Sequence, residues 1–151
     1  MVYEIMSGET IVSVITDATG QQNTMLGIQR DFDLLFTNER IICAITANSG
    51  TAALLGGWIG YAISKSGKGK SREKYQSMTI EEIMGTNKKN FAIPYESIKE
   101  IRVTQVFGKA GIGIKWTGGS YTGFNFPKAQ VDVAKRMVNT YAKDKLKTGW
   151  W

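Results

Sequence analysis

Apolar and polar residues alternate with period two through most of the chain, and each alternating run ends in residues that favour turns. Residues 10–17 (TIVSVITD) are rich in β-branched side chains and stop at Ala18-Thr19-Gly20; 31–37 (DFDLLFT) and 40–46 (RIICAIT) face each other across the two-residue turn Asn38-Glu39. Further runs occupy 90–94 (NFAIP), 98–107 (IKEIRVTQVF), 112–117 (IGIKWT) and 120–126 (SYTGFNF). The last two are joined by Gly118-Gly119, a pair able to take the positive φ of a tight hairpin. Ile112, Ile114 and Trp116 line one face of their strand, and Thr122, Phe124 and Phe126 one face of the next. The period then changes. Val131, Val133, Ala134, Met137, Val138, Tyr141 and Ala142 fall on about half of a helical circumference, with Lys128, Lys135, Arg136 and Lys143 on the other half. Pro127 suits the first turn of that helix. Lys143, Lys145 and Lys147 complement its C-terminal dipole, and Gly149 can end it. The pattern predicts seven strands and one C-terminal amphipathic helix, in a single domain spanning 1–151.

The exception to the alternation is an insertion at 47–89, between the third and fourth strands. No charged residue stands between Arg40 and Lys65, leaving 24 uncharged positions. A membrane span needs about 20 apolar residues. Here 41–46 are required as a strand, Asn48, Ser49 and Thr51 are polar, and glycines at 50, 56, 57 and 60 interrupt the run. Gly69-Lys70-Ser71 also suggests a phosphate loop, yet Ser64 stands where that motif needs its first glycine. The pattern favours a helix at about 51–64, in which Ala52, Gly56, Gly60 and Ser64 recur every four residues as a row of small side chains, while Leu54, Leu55, Trp58, Ile59, Tyr61 and Ile63 cover the rest. A helix apolar on nearly every side has to be enclosed. A basic linker follows at 65–74, and Thr79-Ile80-Glu81-Glu82 reads as a capping box for a short helix at about 79–85.

Two stretches carry a family resemblance. LLFTNERIICAI (34–45) resembles the T-N-x-R hairpin of bacterial and archaeal pleckstrin-homology-like and GRAM-like domains, and FAIPYESIKEIRV (91–103) is similar to their I-P strand entry. With the insertion set aside, the resemblance extends from Glu9 to about Lys145. It implies a mainly β (α+β) fold: a PH-like seven-stranded bent barrel capped by the C-terminal helix, with a helical insertion between strands 3 and 4. It also implies a non-catalytic binding or scaffolding module, often at membranes and sometimes oligomeric. The loop after the first strand offers only Arg30 where lipid-binding members need several basic residues, so phosphoinositide recognition of the usual kind is disfavoured.

Composition narrows the chemistry. The chain of 151 residues has no histidine and one cysteine, so transition-metal ligands and the commonest neutral-pH acid/base are missing. Cys43 lies in an apolar run and reads as a small buried hydrophobe. Neither a catalytic triad nor a cofactor motif is evident, and the expectation is no enzyme, no cofactor and no metal. Glu81 and Glu82 are helix neighbours that point about 100° apart and serve the helix N-terminus rather than forming an acid pair. Residues 1–64 hold two basic against six acidic residues, a net of −4, and 65–151 hold 17 against 7, a net of +10. The second half is thus the anion-facing one, although charge alone does not choose among nucleic acid, lipid and acidic protein. The first twenty residues show no basic leader with an apolar core, which gives the expectation of a reducing cytoplasm, with membrane association left open.

The leading expectation is therefore a homo-oligomer whose contact includes Ala52, Gly56, Trp58, Ile59, Gly60 and Ile63; the insertion folding against its own barrel, with the helix from Thr79 as a lid, is the other way to enclose the segment. The alternative is peripheral binding to an anionic membrane through Trp58, Tyr61, Lys65, Lys68, Lys70, Arg72 and Lys74, an aromatic and basic flank of the kind that gains from an anionic leaflet. Trp150 and Trp151 could dock on a partner or pack on the domain. Nucleic-acid binding rests only on the basic half and is disfavoured, because strand alternation already accounts for Tyr121 and Phe124.

Overall fold

The computed structural model describes residues 8–20, 31–46 and 71–147. Its strands are β1 (Ile11–Gly20), β2 (Asp31–Thr37), β3 (Arg40–Ile45), β4 (Phe91–Pro94), β5 (Ile98–Val106), β6 (Lys109–Trp116), β7 (Gly119–Pro127) and β8 (Leu146–Lys147). Three short helices accompany them: α1 (Ser71–Gln76) and α2 (Ile80–Gly85) between β3 and β4, and α3 (Val131–Tyr141) after β7. All eight strands form one sheet in the order β4-β3-β2-β1-β7-β6-β5-β8. Every ladder is antiparallel except β5–β8, where Ile101 faces Leu146 and Arg102 faces Lys147 in parallel.

This corrects the expected architecture. The protein is mainly β, but the predicted seven-stranded barrel with a helical insertion does not describe it: among the described residues the sheet has eight strands and is not closed. The reason lies at the chain's C-terminal side. Helix α3 ends at Tyr141, a 3-10 turn spans Lys143–Lys145, and the backbone then extends as β8 along the edge of β5. The part of the insertion that is described consists of α1 and α2, and residues 71–74, expected as linker, belong to α1. The apolar helix expected at 51–64 lies outside the described residues.

The sheet is bent so that its inner face meets itself. Phe91 of β4 stacks on Trp116 of β6 at 6.3 Å, and Phe32 of β2 meets Phe124 of β7 edge-on at 5.1 Å. Ile15, Phe36, Ile41, Ile93, Ile101, Ile112 and Ile114 complete this core, and α3 adds Val131, Ala134, Met137 and Val138 from its apolar stripe. On the opposite face of β1–β4, α1 and α2 bury Leu35, Ile42 and Ala44 under Tyr75 and Ile83. Both faces of β2 are therefore covered, which is why six of its seven residues are buried. Across the outer face of β6, glycines make room for neighbours: a Cβ on Gly111 would lie 3.1 Å from the Thr104 hydroxyl, and one on Gly113 2.9 Å from that of Tyr121. The β6–β7 turn is Thr117-Gly118 rather than Gly118-Gly119, and Gly118 is required for space, not for positive φ, because a Cβ there would strike the Trp116 indole.

α3 is held in register by a side chain in the turn before it. β1 shifts register between Ile15 and Ala18, where Asp17 has φ 57°. At that irregularity the Gln130 amide substitutes for a strand partner: the Thr16 N–H donates to its Oε1 at 2.8 Å, and its Nε2 donates to the Thr16 carbonyl at 2.7 Å.

Candidate functional site

The turn Thr37-Asn38-Glu39-Arg40 is a joint. The buried Thr37 hydroxyl donates to Glu9 at 2.7 Å and accepts from the backbone N–H groups of Glu39 and Arg40 at 3.0 and 2.9 Å. Asn38 holds the residues preceding β1, accepting from the Thr10 N–H at 2.8 Å and donating to the Gly8 carbonyl at 3.1 Å. Arg40 grips Glu9 with two bonds of 2.8 and 3.0 Å, the geometry that makes a guanidinium–carboxylate pair strong. Burial alone would raise the Glu9 pKa, but the hydrogen bonds from Arg40 and Thr37 and the Arg40 charge outweigh it and hold the carboxyl below its ordinary value. The Tyr95 hydroxyl donates to the Thr37 carbonyl at 2.7 Å, Tyr95 stacks on Tyr141, and Lys145 donates to the Tyr95 carbonyl at 3.2 Å. The joint thereby links β1, the β2–β3 turn, the β4–β5 connection and α3.

Beside the joint runs an open groove of about 730 Å³, between the entry to β1, the β2–β3 turn and the α1–α2 pair. Among the described residues its lining includes three carboxylates, Glu9, Glu39 and Glu81, and no basic side chain; Ile11, Met78 and Ile80 supply apolar floor and wall. Glu39 is shared with a second groove of about 670 Å³ that also includes Arg40, Tyr95, Glu96 and Tyr141. One wall is fixed by α2, whose capping box is complete: Thr79 accepts from the Glu82 N–H at 3.0 Å and Glu82 accepts from the Thr79 N–H at 2.8 Å. At the other end of α2, Asn90 donates to the Ile83 carbonyl and accepts from the Ile45 N–H, tying the helix to β3.

α1 is anchored through a buried carboxylate. The Tyr75 hydroxyl donates to Asp33 on β2 at 2.6 Å. Burial raises the Asp33 pKa, and the Tyr75 bond and Lys74 charge offset only part of this. Lys74 is half-buried, its ammonium 4.3 Å from the centre of the Tyr75 ring, and its pKa is lowered by burial despite the pull of Asp33. Cys43 is fully buried in the core, and desolvation pushes its thiol pKa well up, which leaves it inert.

Of the residues singled out from sequence, Ala52, Gly56, Trp58, Ile59, Gly60, Tyr61, Ile63, Lys65, Lys68 and Lys70 lie outside the described residues, as do Trp150 and Trp151. Arg72 and Lys74 fall on α1, and Lys74 faces Asp33 and the Tyr75 ring. The groove was not foreseen. Its acids come from three separate elements, and the negative balance of 1–64 includes Glu9 and Glu39 but not Glu81. Among the described residues no group of three or more potential metal ligands is assembled, and no helix is long and apolar enough to cross a membrane.

No protein-family model matches the chain, and no curated protein sequence does. Among solved structures, sixteen chains match. One is the C-terminal domain of an unknown protein from Leishmania infantum, similar to this chain at a TM-score of 0.51 and 12% identity over 92% of this chain and 89% of that one. At that identity the likeness concerns the fold alone.

Proposed function

We propose that the chain is a non-catalytic binding or scaffolding module whose groove beside the Thr37–Arg40 joint receives a positively charged, partly apolar segment of a partner. The observation that carries this reading is the groove lining, which among the described residues has three carboxylates and no cation above an apolar floor. Glu9 is already occupied by Arg40 and Thr37, so the groove offers shape and field rather than a free acid or base. Glu39 and Glu81 are exposed, and each also interacts with the neighbouring Arg40 electrostatically. The resemblance of the T-N-E-R hairpin to PH-like and GRAM-like domains supports the same class, binding rather than catalysis.

Calorimetric titration of the full chain with a synthetic peptide of alternating lysine and leucine tests this. Binding is expected at low salt and is expected to weaken about tenfold or more in the Glu39→Lys/Glu81→Lys double variant, since close charge reversal is worth more than 1.4 kcal/mol. Equal binding by both proteins would refute it. Self-association through the 51–64 segment belongs to the same reading: light scattering should give a mass above 16.7 kDa that Gly60→Leu lowers, and a monomeric wild type at micromolar concentration would remove it.

A further inference from the structure

We propose that the tip of the β5–β6 hairpin is an insertion point for the surface of an anionic lipid bilayer, with Phe107 as the inserted ring and Lys109 and Lys128 as the groups that meet the headgroups. Phe107 is 100% exposed, the most exposed large apolar side chain among the described residues. It also occupies a conformation that disfavours it. Phe107 and Gly108 have φ of 51° and 82°, the pattern of a two-residue hairpin turn whose first position is best filled by asparagine, aspartate or glycine. A bulky aromatic in the left-handed region is unusual, and it stands there with its whole ring in water.

The surroundings of the ring select the partner. Lys109 opens β6 and pairs with Pro127 on β7, and Lys128 follows at once, so two exposed lysines lie at the end of the sheet from which the tip projects. The acidic residue that follows them, Asp132, is in the first turn of α3, where the helix dipole accommodates it. Val106 pairs with Lys109 and closes the hairpin, so a two-residue tip can enter the interfacial region without carrying a long stretch of unpaired backbone. A convex tip bearing one ring and two cations needs no cavity in its partner, only an apolar layer beneath negative charge. Phe107, Lys109 and Lys128 are not shared with the groove, so this inference stands or falls apart from the binding reading given above.

Sedimentation of the full chain with vesicles of phosphatidylserine and phosphatidylcholine, against vesicles of phosphatidylcholine alone, tests it. The wild type should bind the anionic vesicles preferentially and release with rising salt. Phe107→Asn should bind them about tenfold more weakly, since it forgoes burial of a whole aromatic ring. Because asparagine suits the left-handed turn, that variant should melt no lower than the wild type, which separates lost binding from lost folding. Phe107→Trp should bind as well as the wild type, and Lys109→Gln/Lys128→Gln should lose the preference for anionic vesicles. A Phe107→Asn protein that binds undiminished overturns the proposal. So does a wild type that ignores phosphatidylserine, as expected if the ring serves a protein pocket. So, too, does a loss confined to Lys65→Gln/Lys68→Gln/Lys70→Gln, which would move lipid contact to the insertion.

Discussion

Thr37 is small, uncharged and wholly buried, yet four polar atoms converge on its hydroxyl: a Glu9 oxygen, the Glu39 and Arg40 N–H groups and the Arg40 carbonyl. Valine has the same shape and none of that capacity. Thr37→Val is expected to lower stability by about 2 kcal/mol in urea denaturation, the cost of leaving buried polar groups unpaired; a loss under about 0.5 kcal/mol would show that water replaces the hydroxyl. Asp33 acts in the other direction. Its pKa in the fold is raised above the unfolded value, so the charged form is penalised by folding; the penalty is full above the folded pKa and vanishes as pH falls below the unfolded one. Asp31, raised by burial and by Asp17, adds the same sign, whereas Glu9 stabilises above its unfolded pKa and loses this as pH falls through its folded value. Wild-type stability should thus fall with rising pH just above the ordinary aspartate range more steeply than that of Asp33→Asn, whose amide oxygen still accepts from Tyr75. Parallel pH profiles in chemical denaturation would show that Asp33 titrates ordinarily.

At the scale of elements, what the sequence revealed followed from periodicity. β2 occupies the 31–37 run and β3 nearly all of 40–46, because each has an unbroken apolar pattern, whereas the C-terminal helix is shorter than expected: Pro127 ends β7 instead of opening the helix, α3 stops at Tyr141, and Lys143, Lys145 and Lys147, expected at its C-terminus, fall on a 3-10 turn and β8. β1 extends beyond the expected limit at Asp17 to Gly20, since its bulge puts Asp17 into positive φ and interrupts the alternation of apolar and polar residues. β8 has two residues and no period to detect, and α1 was hidden by its basic residues, with Tyr75 its apolar anchor. Gln130 could not be recognised at all: its partner, Thr16, is 114 positions away. Gln130→Leu should remove both bonds to the Thr16 backbone and cost about 2 kcal/mol in thermal or urea unfolding. An unchanged midpoint would mean that β1 finds another partner there.

Across the whole molecule, the two faces of the sheet are treated differently. The inner face folds on itself over α3, and the outer face of β1–β4 lies under α1 and α2, while the outer face of β6 is floored by glycines with Tyr121 laid over Gly113. The candidate groove draws on the β2–β3 turn, α1 and α2, and the exposed ring on the β5–β6 tip, so the acidic and the basic features belong to different halves of the sheet. That division follows the charge imbalance of the chain only in part, since Glu81 comes from the basic half, and no one-dimensional reading could say which residues would meet.

The strands at the two margins are the smallest: four residues ending in a proline at one, and two residues ending in a lysine at the other. Unfinished margins of a pleated ribbon invite neighbouring molecules to continue it, and brevity, an imino acid and a cation each discourage that. Among the described strands, the least conspicuous segments are therefore the ones that disfavour continuation of the sheet into a fibre.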